Sequence, residues 1–190
     1  MGLRVVVVGI PGVGKTTLVE LLVSGSKGAK LVNFGTVMLE AGRSLKWIKD
    51  RDELRKMPIE KQRRLQKVAA ARIAGIKGGM VVIDTHLFIR TDEGLWPGLP
   101  FEVVRAMRPT HLVLVEATPE EIAKRRASDR SRYRDSLALE SLAEELGLAR
   151  SFLTASSTLT GAPMSIVWNE EGKQERLARK LVKMLEQAAR

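Results

Sequence analysis

The chain has 190 residues, 44% of them hydrophobic, which is sufficient for one folded domain with a full core, and no linker-like stretch divides it. It has no cysteine and no window near the roughly 18 uninterrupted apolar residues of a membrane span, which excludes a disulfide framework, a thiolate metal site and a bilayer-crossing helix. The net charge of +10 indicates anionic partners, either polyphosphate ligands or nucleic acid, and because no signal peptide precedes the first strand we expect a cytoplasmic protein.

Short runs rich in Val and Ile alternate with helical patterns along the chain. The predicted strands are residues 3–8, 30–34, 80–84, 111–116 and 164–168. The predicted helices are residues 16–23, 36–41, 59–76, 101–107, 119–126, a long segment within 137–158, and 173–189. Repeated strand–helix units are typical of a parallel sheet. We therefore predict an α/β fold in three layers, with a five-stranded parallel sheet between helices on both faces.

The segment after the first strand fits the phosphate-binding pattern G-x-x-x-x-G-K-[ST] at every fixed position. Its residues are Gly9, Ile10, Pro11, Gly12, Val13, Gly14, Lys15, Thr16 and Thr17. In this motif the glycines allow backbone N–H groups to surround phosphate oxygens, the lysine reaches the β- and γ-phosphates, and the hydroxyl ligates Mg²⁺. The sequence therefore predicts that the chain is a P-loop NTPase-type protein that binds a nucleoside triphosphate.

Asp84 ends the apolar third strand, where proteins with this loop place the carboxylate that holds Mg²⁺ directly or through water. A turn or helix cap for the next loop is the alternative interpretation of this aspartate. Because ligands of an open parallel sheet bind beyond the carboxyl ends of its strands, we expect Asp84 to lie near the phosphate loop.

Residues 125–135 contain Arg125, Arg126, Arg130, Arg132 and Arg134. Transfer of a phosphoryl group depends mainly on cations and positioning, and arginine suits bidentate phosphate contacts. We interpret residues of about 126 to 136 as a short lid that closes over the triphosphate. For any single arginine, an ordinary solvated surface position is the alternative.

With these motifs the chain resembles archaeal adenylate kinases over essentially its full length. The resemblance rests on the phosphate loop, Asn33-Phe34-Gly35, residues 49–55, Asp84-Thr85-His86, residues 89–91 and 95–100, and the arginine-rich segment. It implies a Mg²⁺-dependent reaction of ATP with AMP to give two ADP, a single domain with an AMP-binding helical region of about 35 to 75, and a homo-oligomer, often a trimer.

The resemblance also implies residue roles. Lys15, Arg90, Arg132 and Arg134 would act in catalysis, and Thr16 and Asp84 would hold Mg²⁺, partly through water. Arg125 and Asn169 would join residues 9–17 in binding ATP. The AMP site would comprise Asn33, Gly35, Met38, Arg55, Asp84 and Arg90. In bacterial and eukaryotic relatives an arginine follows the equivalent of Gly35, whereas this chain has Met38 and Leu39 there, so Arg51 or Arg55 would supply that charge.

Two other functions stay open from the residues alone. One keeps the fold and changes the acceptor to CMP, UMP or a small metabolite such as shikimate. The other makes the chain a nucleotide-dependent switch or a nucleic-acid binder, with the arginine-rich segment on a phosphate backbone. Aromatic residues are only 4% of the chain and do not alternate with basic residues in the sequence, which disfavours nucleic acid as the main partner.

Overall fold

The computed structural model describes residues 2–91, 94–128 and 139–188. A central sheet of five parallel strands has the order β2-β3-β1-β6-β7. Its strands are β1 (Leu3–Val8), β2 (Lys30–Asn33), β3 (Met80–Asp84), β6 (His111–Glu116) and β7 (Met164–Trp168). The predicted fold is confirmed, and four of the five strands have the predicted bounds.

Helices cover both faces of the sheet. They are α1 (Lys15–Ser24), α2 (Phe34–Ser44), α3 (Arg51–Lys56), α4 (Ile59–Ala74), α5 (Phe101–Met107), α6 (Pro119–Ser128), α7 (Leu139–Thr160) and α8 (Gln174–Ala188). Helix α1 packs against α8, while α4 packs against α2 and α5, and α7 packs against α5 and α6. No helix within the described residues is long and apolar enough to cross a membrane.

The core lies where the central strands meet these helices. Residues 5–8 of β1 and 80–83 of β3 are buried, as expected for strands that are covered on both faces. In α8, Leu181 and Leu185 are buried at a spacing of four residues and belong to the core, whereas Ala188 at the helix end is exposed.

Three local features differ from the sequence-based prediction. Strand β2 ends at Asn33 rather than at residue 34, because the Asn33 side chain accepts the Thr36 N–H and caps α2. Helix α3 was not predicted; Asp50 caps it by accepting the N–H groups of Asp52 and Glu53. The antiparallel pair β4 (Phe88–Thr91) and β5 (Gly94–Pro97) was also missed.

A matched pair of leucines tests where the core lies. Leu65 on α4 is fully buried, whereas Leu159 on α7 is 54% exposed. Leu65→Ala should lower the free energy of unfolding by about 2–5 kcal/mol, since it removes buried methyl groups and leaves a cavity. Leu159→Ala should change it by no more than about 0.5 kcal/mol. Urea denaturation of both variants measures the difference, and equal effects would contradict the assignment of Leu65 to the core.

Candidate active site

The carboxyl ends of β1, β2 and β3 bring the predicted site residues together. In the strand register Asp84 lies beside Val7 of β1 on one side and beside Asn33 of β2 on the other. Residues 9–14 form the loop that leaves β1 at this edge and leads into α1. The phosphate loop, Asp84 and Asn33 therefore share one end of the sheet, as expected for an open parallel sheet.

The phosphate loop needs glycine for two reasons. Gly12 and Gly14 have φ angles of 94° and 80°, in the left-handed region that side chains disfavour. A Cβ at Gly14 would also lie 2.4 Å from the Asn169 amide nitrogen, and one at Gly12 would lie 3.1 Å from Cγ of Arg126. The same glycines thus permit the backbone turn and the close approach of two side chains from outside the loop.

Side chains from outside the phosphate loop donate hydrogen bonds to its carbonyl groups. The Val13 carbonyl accepts hydrogen bonds from Asn169 Nδ2 at 2.7 Å and from Arg125 Nη1 at 3.1 Å. The Pro11 carbonyl accepts one from Arg126 Nε at 2.9 Å. Because C=O and N–H point in opposite directions across a trans peptide, the N–H groups that follow each carbonyl are directed to the other side of the loop. Together with the positive end of α1, they form a ready anion-binding site.

Arg125 and Arg126 belong to α6, and both form hydrogen bonds or ion pairs with other residues of the chain. Arg125 Nη2 donates to the Asn169 carbonyl at 3.0 Å, so this arginine bridges the phosphate loop and the segment after β7. Arg126 forms an ion pair of 3.0 Å with Glu145 of α7, and both side chains are more than 90% buried. Arg125 lies at the phosphate loop, as the sequence indicates, but its hydrogen bonds support the loop backbone.

Lys15 and Asp84 form a buried ion pair in which the lysine ammonium contacts Asp84 Oδ1. The other carboxylate oxygen, Oδ2, accepts a hydrogen bond of 2.8 Å from Asn33 Nδ2. Both oxygens of the carboxylate are therefore satisfied by protein donors. An ammonium next to a buried carboxylate offsets the cost of removing each charge from water.

The residues present fit a magnesium ion bound with a nucleotide. The Thr16 hydroxyl lies on the exposed first turn of α1, and Asp84 ends the neighbouring strand. Among the described residues no group of three or more acidic or histidine side chains could hold a metal by itself. Mg²⁺ is usually bound by one or two protein oxygens with waters and substrate phosphates, so a single carboxylate and a hydroxyl are a suitable donor set.

The proposed acceptor side is formed by α2 and α3. Asn33 and Gly35 lie at the start of α2, and Met38 is buried in the core below them. Arg51 Nη2 donates to Thr36 Oγ1 at 2.9 Å, which places this guanidinium at the α2 N-terminus. The other predicted cations cannot be placed in this way: the side chains of Arg55 and Arg90, and all of Arg132 and Arg134, lie outside the described part of the chain.

Two tryptophan rings lie next to cationic side chains of α4, although these residues are far apart in the sequence. Lys61 and Arg64 lie 5.8 and 5.3 Å from the ring centroid of Trp47, and Arg63 lies 5.5 Å from that of Trp96. The half-buried rings pack beneath long cationic side chains, which is a common way to cover apolar surface.

The first turn of α6 fixes the segment that follows β7. Thr118 and Glu121 form a capping box in which each side chain accepts the other's backbone N–H. Glu121 Oε1 also accepts the Glu171 N–H at 2.9 Å. Partial burial opposes ionisation of Glu121, but the hydrogen bonds from Glu171 and Thr118 and the charge of Arg125 outweigh it and lower its pKa.

The sequence indicates the loop, Lys15, Asp84, Asn33 and Asn169 as candidate site residues. It does not indicate the contacts that support them, which are the Arg126–Glu145 ion pair and the hydrogen bond from Glu171 to Glu121. Arg126 was predicted only as part of the lid, and Glu145 and Glu121 were not singled out. A Thr-Pro-Glu-Glu helix start was the one available signal for Glu121. Nothing in the sequence links Arg126 to a glutamate 19 positions later.

Comparisons with known proteins show which family the chain matches. The family model described as "AAA domain" matches residues 8–143. An adenylate kinase from Thermoplasma acidophilum is 38% identical, with 96% of this chain and 98% of that protein covered. Adenylate kinases from Pyrococcus horikoshii and Methanopyrus kandleri are each 40% identical, covering 98% and 96% of this chain and 96% and 97% of their own length.

Solved structures support the fold. A shikimate kinase from Bacteroides thetaiotaomicron superposes with a TM-score of 0.66 at 18% identity, covering 97% of this chain and 98% of that one. A shikimate kinase from Aquifex aeolicus gives a TM-score of 0.61 at 17% identity, with 98% of each chain covered. At such identities the likeness concerns the arrangement of strands and helices alone.

The buried pair of Arg126 and Glu145 has a surface counterpart for comparison. Arg126→Ala should lower the free energy of unfolding by about 3–5 kcal/mol, because it removes the cation that faces a buried carboxylate. Arg179→Ala removes an exposed partner of Glu175 on α8 and should cost about 0.2–1 kcal/mol. Urea denaturation measures both values. Similar small costs in the two variants would show that the buried pair does not support the structure.

The lowered pKa of Glu121 predicts a pH dependence. A carboxyl whose pKa is lower in the folded state stabilises the protein above its unfolded pKa and loses that contribution as pH falls through the folded value. Glu121→Gln should therefore cost about 1 kcal/mol at pH 7, and the difference from the parent should shrink below about pH 4.5. Thermal unfolding between pH 3 and 7 measures this, with Glu186→Gln on the exposed side of α8 as control. A pH-independent difference for Glu121→Gln would contradict the account.

Proposed function

Because the chain belongs to the adenylate kinase family, we propose that it catalyses reversible phosphoryl transfer from ATP to AMP, producing two ADP. The observation that supports this proposal most strongly is that the phosphate loop, Lys15 and Asp84 lie together at one end of the sheet, with the loop carbonyls hydrogen-bonded to other parts of the protein. The chain also matches archaeal adenylate kinases over nearly its full length. In the reaction an oxygen of the AMP phosphate attacks the γ-phosphorus of ATP. The bond from that phosphorus to the bridging oxygen breaks, and ADP leaves.

Residues of the phosphate loop would bind the ATP phosphates through inward N–H groups. Lys15 would leave Asp84 and follow the transferring phosphoryl group, whose negative charge is spread over its oxygens in the transition state. Thr16 and Asp84 would hold Mg²⁺, which neutralises phosphate charge when it is bound. No general base is required, since the attacking phosphate is already an anion.

Residues 35–75 would hold the acceptor. Asn33, Gly35 and Met38 lie at or below the α2 start, and Arg51 brings a cation to the same place. We also propose Arg55 and Arg90 as acceptor-side cations, and Arg132 and Arg134 as cations that act on the transferring group. Residues of about 126 to 136 would serve as the lid. Arg125, just before it, would keep its hydrogen bonds to the Val13 carbonyl of the phosphate loop and to the Asn169 carbonyl.

Three wider expectations remain predictions. The family resemblance implies a magnesium requirement and a homo-oligomer, with a trimer as the expected state, and the sequence itself indicates a cytoplasmic location. Nucleic acid is not expected as the main partner, although weak binding is consistent with a net charge of +10.

Phosphorus NMR tests the proposed reaction directly. The parent protein with Mg²⁺ and ATP should produce ADP when AMP is added, and Lys15→Ala should lower the rate by about 10²–10³-fold because it removes a cation that acts on the transition state. Lys183→Ala, on the exposed face of α8, is the matched control and should keep the parent rate. CMP, UMP, GMP and shikimate are tested in parallel. Faster transfer to any of these would change the assigned acceptor, and no transfer at all would contradict the kinase proposal.

A further inference from the structure

A directed chain of hydrogen bonds joins the acceptor-side helices to the phosphate-loop lysine. Arg51 Nη2 donates to Thr36 Oγ1 at 2.9 Å, and that hydroxyl lies 3.1 Å from Asn33 Oδ1. Asn33 Nδ2 donates to Asp84 Oδ2 at 2.8 Å, and Lys15 contacts Asp84 Oδ1. The chain runs from a cation on α3 to a second cation on α1, with the Asp84 carboxylate as the acceptor next to Lys15.

The orientation of the Asn33 amide follows from its partners. The Thr36 backbone N–H, which can only donate, lies 3.0 Å from Oδ1, so the oxygen must face α2. The amide nitrogen then faces Asp84, whose ionised carboxylate can only accept. Asparagine provides a donor and an acceptor on one planar group, so a single side chain serves both neighbours.

We propose that Asn33 is a positioning residue that acts through Asp84, an inference that rests on the proposed function. When Lys15 transfers its contact to phosphate, one oxygen of Asp84 loses its partner. The bond from Asn33 to the other oxygen remains, and it prevents the carboxylate from rotating. Oδ1 is then presented in a fixed direction for the magnesium that accompanies ATP. Outer partners of metal-binding carboxylates have this effect on metal affinity in general.

The same amide links this carboxylate to the acceptor side. Asn33 is the N-cap of α2, and through Thr36 it is connected to Arg51 on α3. The Asp84 carboxylate and the start of α2 therefore share one hydrogen-bonding side chain. This role is distinct from the contact with AMP that the family resemblance implies for Asn33.

The test is Asn33→Ser, studied by calorimetric titration of ATP with and without Mg²⁺. Serine keeps an oxygen that can cap α2. It lacks the amide Nδ2 that donates to Asp84, and its single hydroxyl, attached to Cβ, is one bond shorter than that nitrogen. We expect the gain in ATP affinity that Mg²⁺ provides to fall by roughly 10–100-fold. Affinity for metal-free ATP should stay within about twofold, while kcat falls. Asp50→Ser, which makes the same kind of cap replacement on α3, is the control and should keep the parent's magnesium effect.

Each other outcome overturns the inference in a recognisable way. A lower Tm with an unchanged magnesium effect would make Asn33 a helix cap only. A raised KM for AMP with an unchanged magnesium effect would make it an AMP contact only. Failure of the proposed function itself is a separate result, because it would appear as no transfer by the parent protein to any acceptor, whatever the titrations show.

Discussion

The site depends on one constraint: a backbone loop can bind phosphates only if its carbonyl groups point away from them. Here three side chains from two separate segments, α6 and the segment after β7, hold two of those carbonyl groups. Asn169 and Arg125 hold the Val13 carbonyl, and Arg126 holds that of Pro11. These donors come from α6 and the segment after β7, so the orientation of the loop that follows β1 depends on two segments that are far from it in the sequence.

The residues that hold the loop carbonyls are positioned in turn by two glutamates. Arg126 is held by the buried Glu145 of α7, and the segment after β7 is held by Glu121. Each arginine satisfies backbone carbonyls and a carboxylate together, which the planar guanidinium can do and an ammonium cannot. Arg125 and Arg126 thus organise the loop. In the proposed reaction Lys15, Arg90, Arg132 and Arg134 would contact the transferring group.

In the ion pair of Lys15 and Asp84, each buried charge is neutralised by the other. In the proposed reaction Lys15 would move to phosphate oxygens and Asp84 would hold Mg²⁺, so each charge would again have a partner of opposite sign. The hydrogen bond from Asn33 to Asp84 would be kept during this exchange. The site would then change its ion pairs while keeping its geometry, which would limit reorganisation during the reaction.

The sequence predicts what depends on local pattern. The phosphate loop, the bounds of β1 and β3 and the position of Asp84 all follow from a motif and from apolar runs. It does not reveal which distant side chains meet, as with Arg126 and Glu145, because pairing across 19 residues depends on how α6 and α7 pack. It also missed α3 and the β4–β5 pair, since elements of six and four residues carry little periodicity. Roles that depend on a bound nucleotide, such as those of Arg55 and Arg90, stay predictions.

The most direct test of the account is a crystal structure with Mg²⁺ and an analogue that joins two adenosines through five phosphates, since such a ligand fills both sides of the site. We expect Lys15 to have left Asp84 for a phosphate oxygen. The Asn33–Asp84 hydrogen bond and the contacts of Arg125, Arg126 and Asn169 with the loop carbonyls should remain as they are here. A Lys15–Asp84 pair that persists with the ligand bound, or loop carbonyls that turn toward the phosphates, would contradict the account.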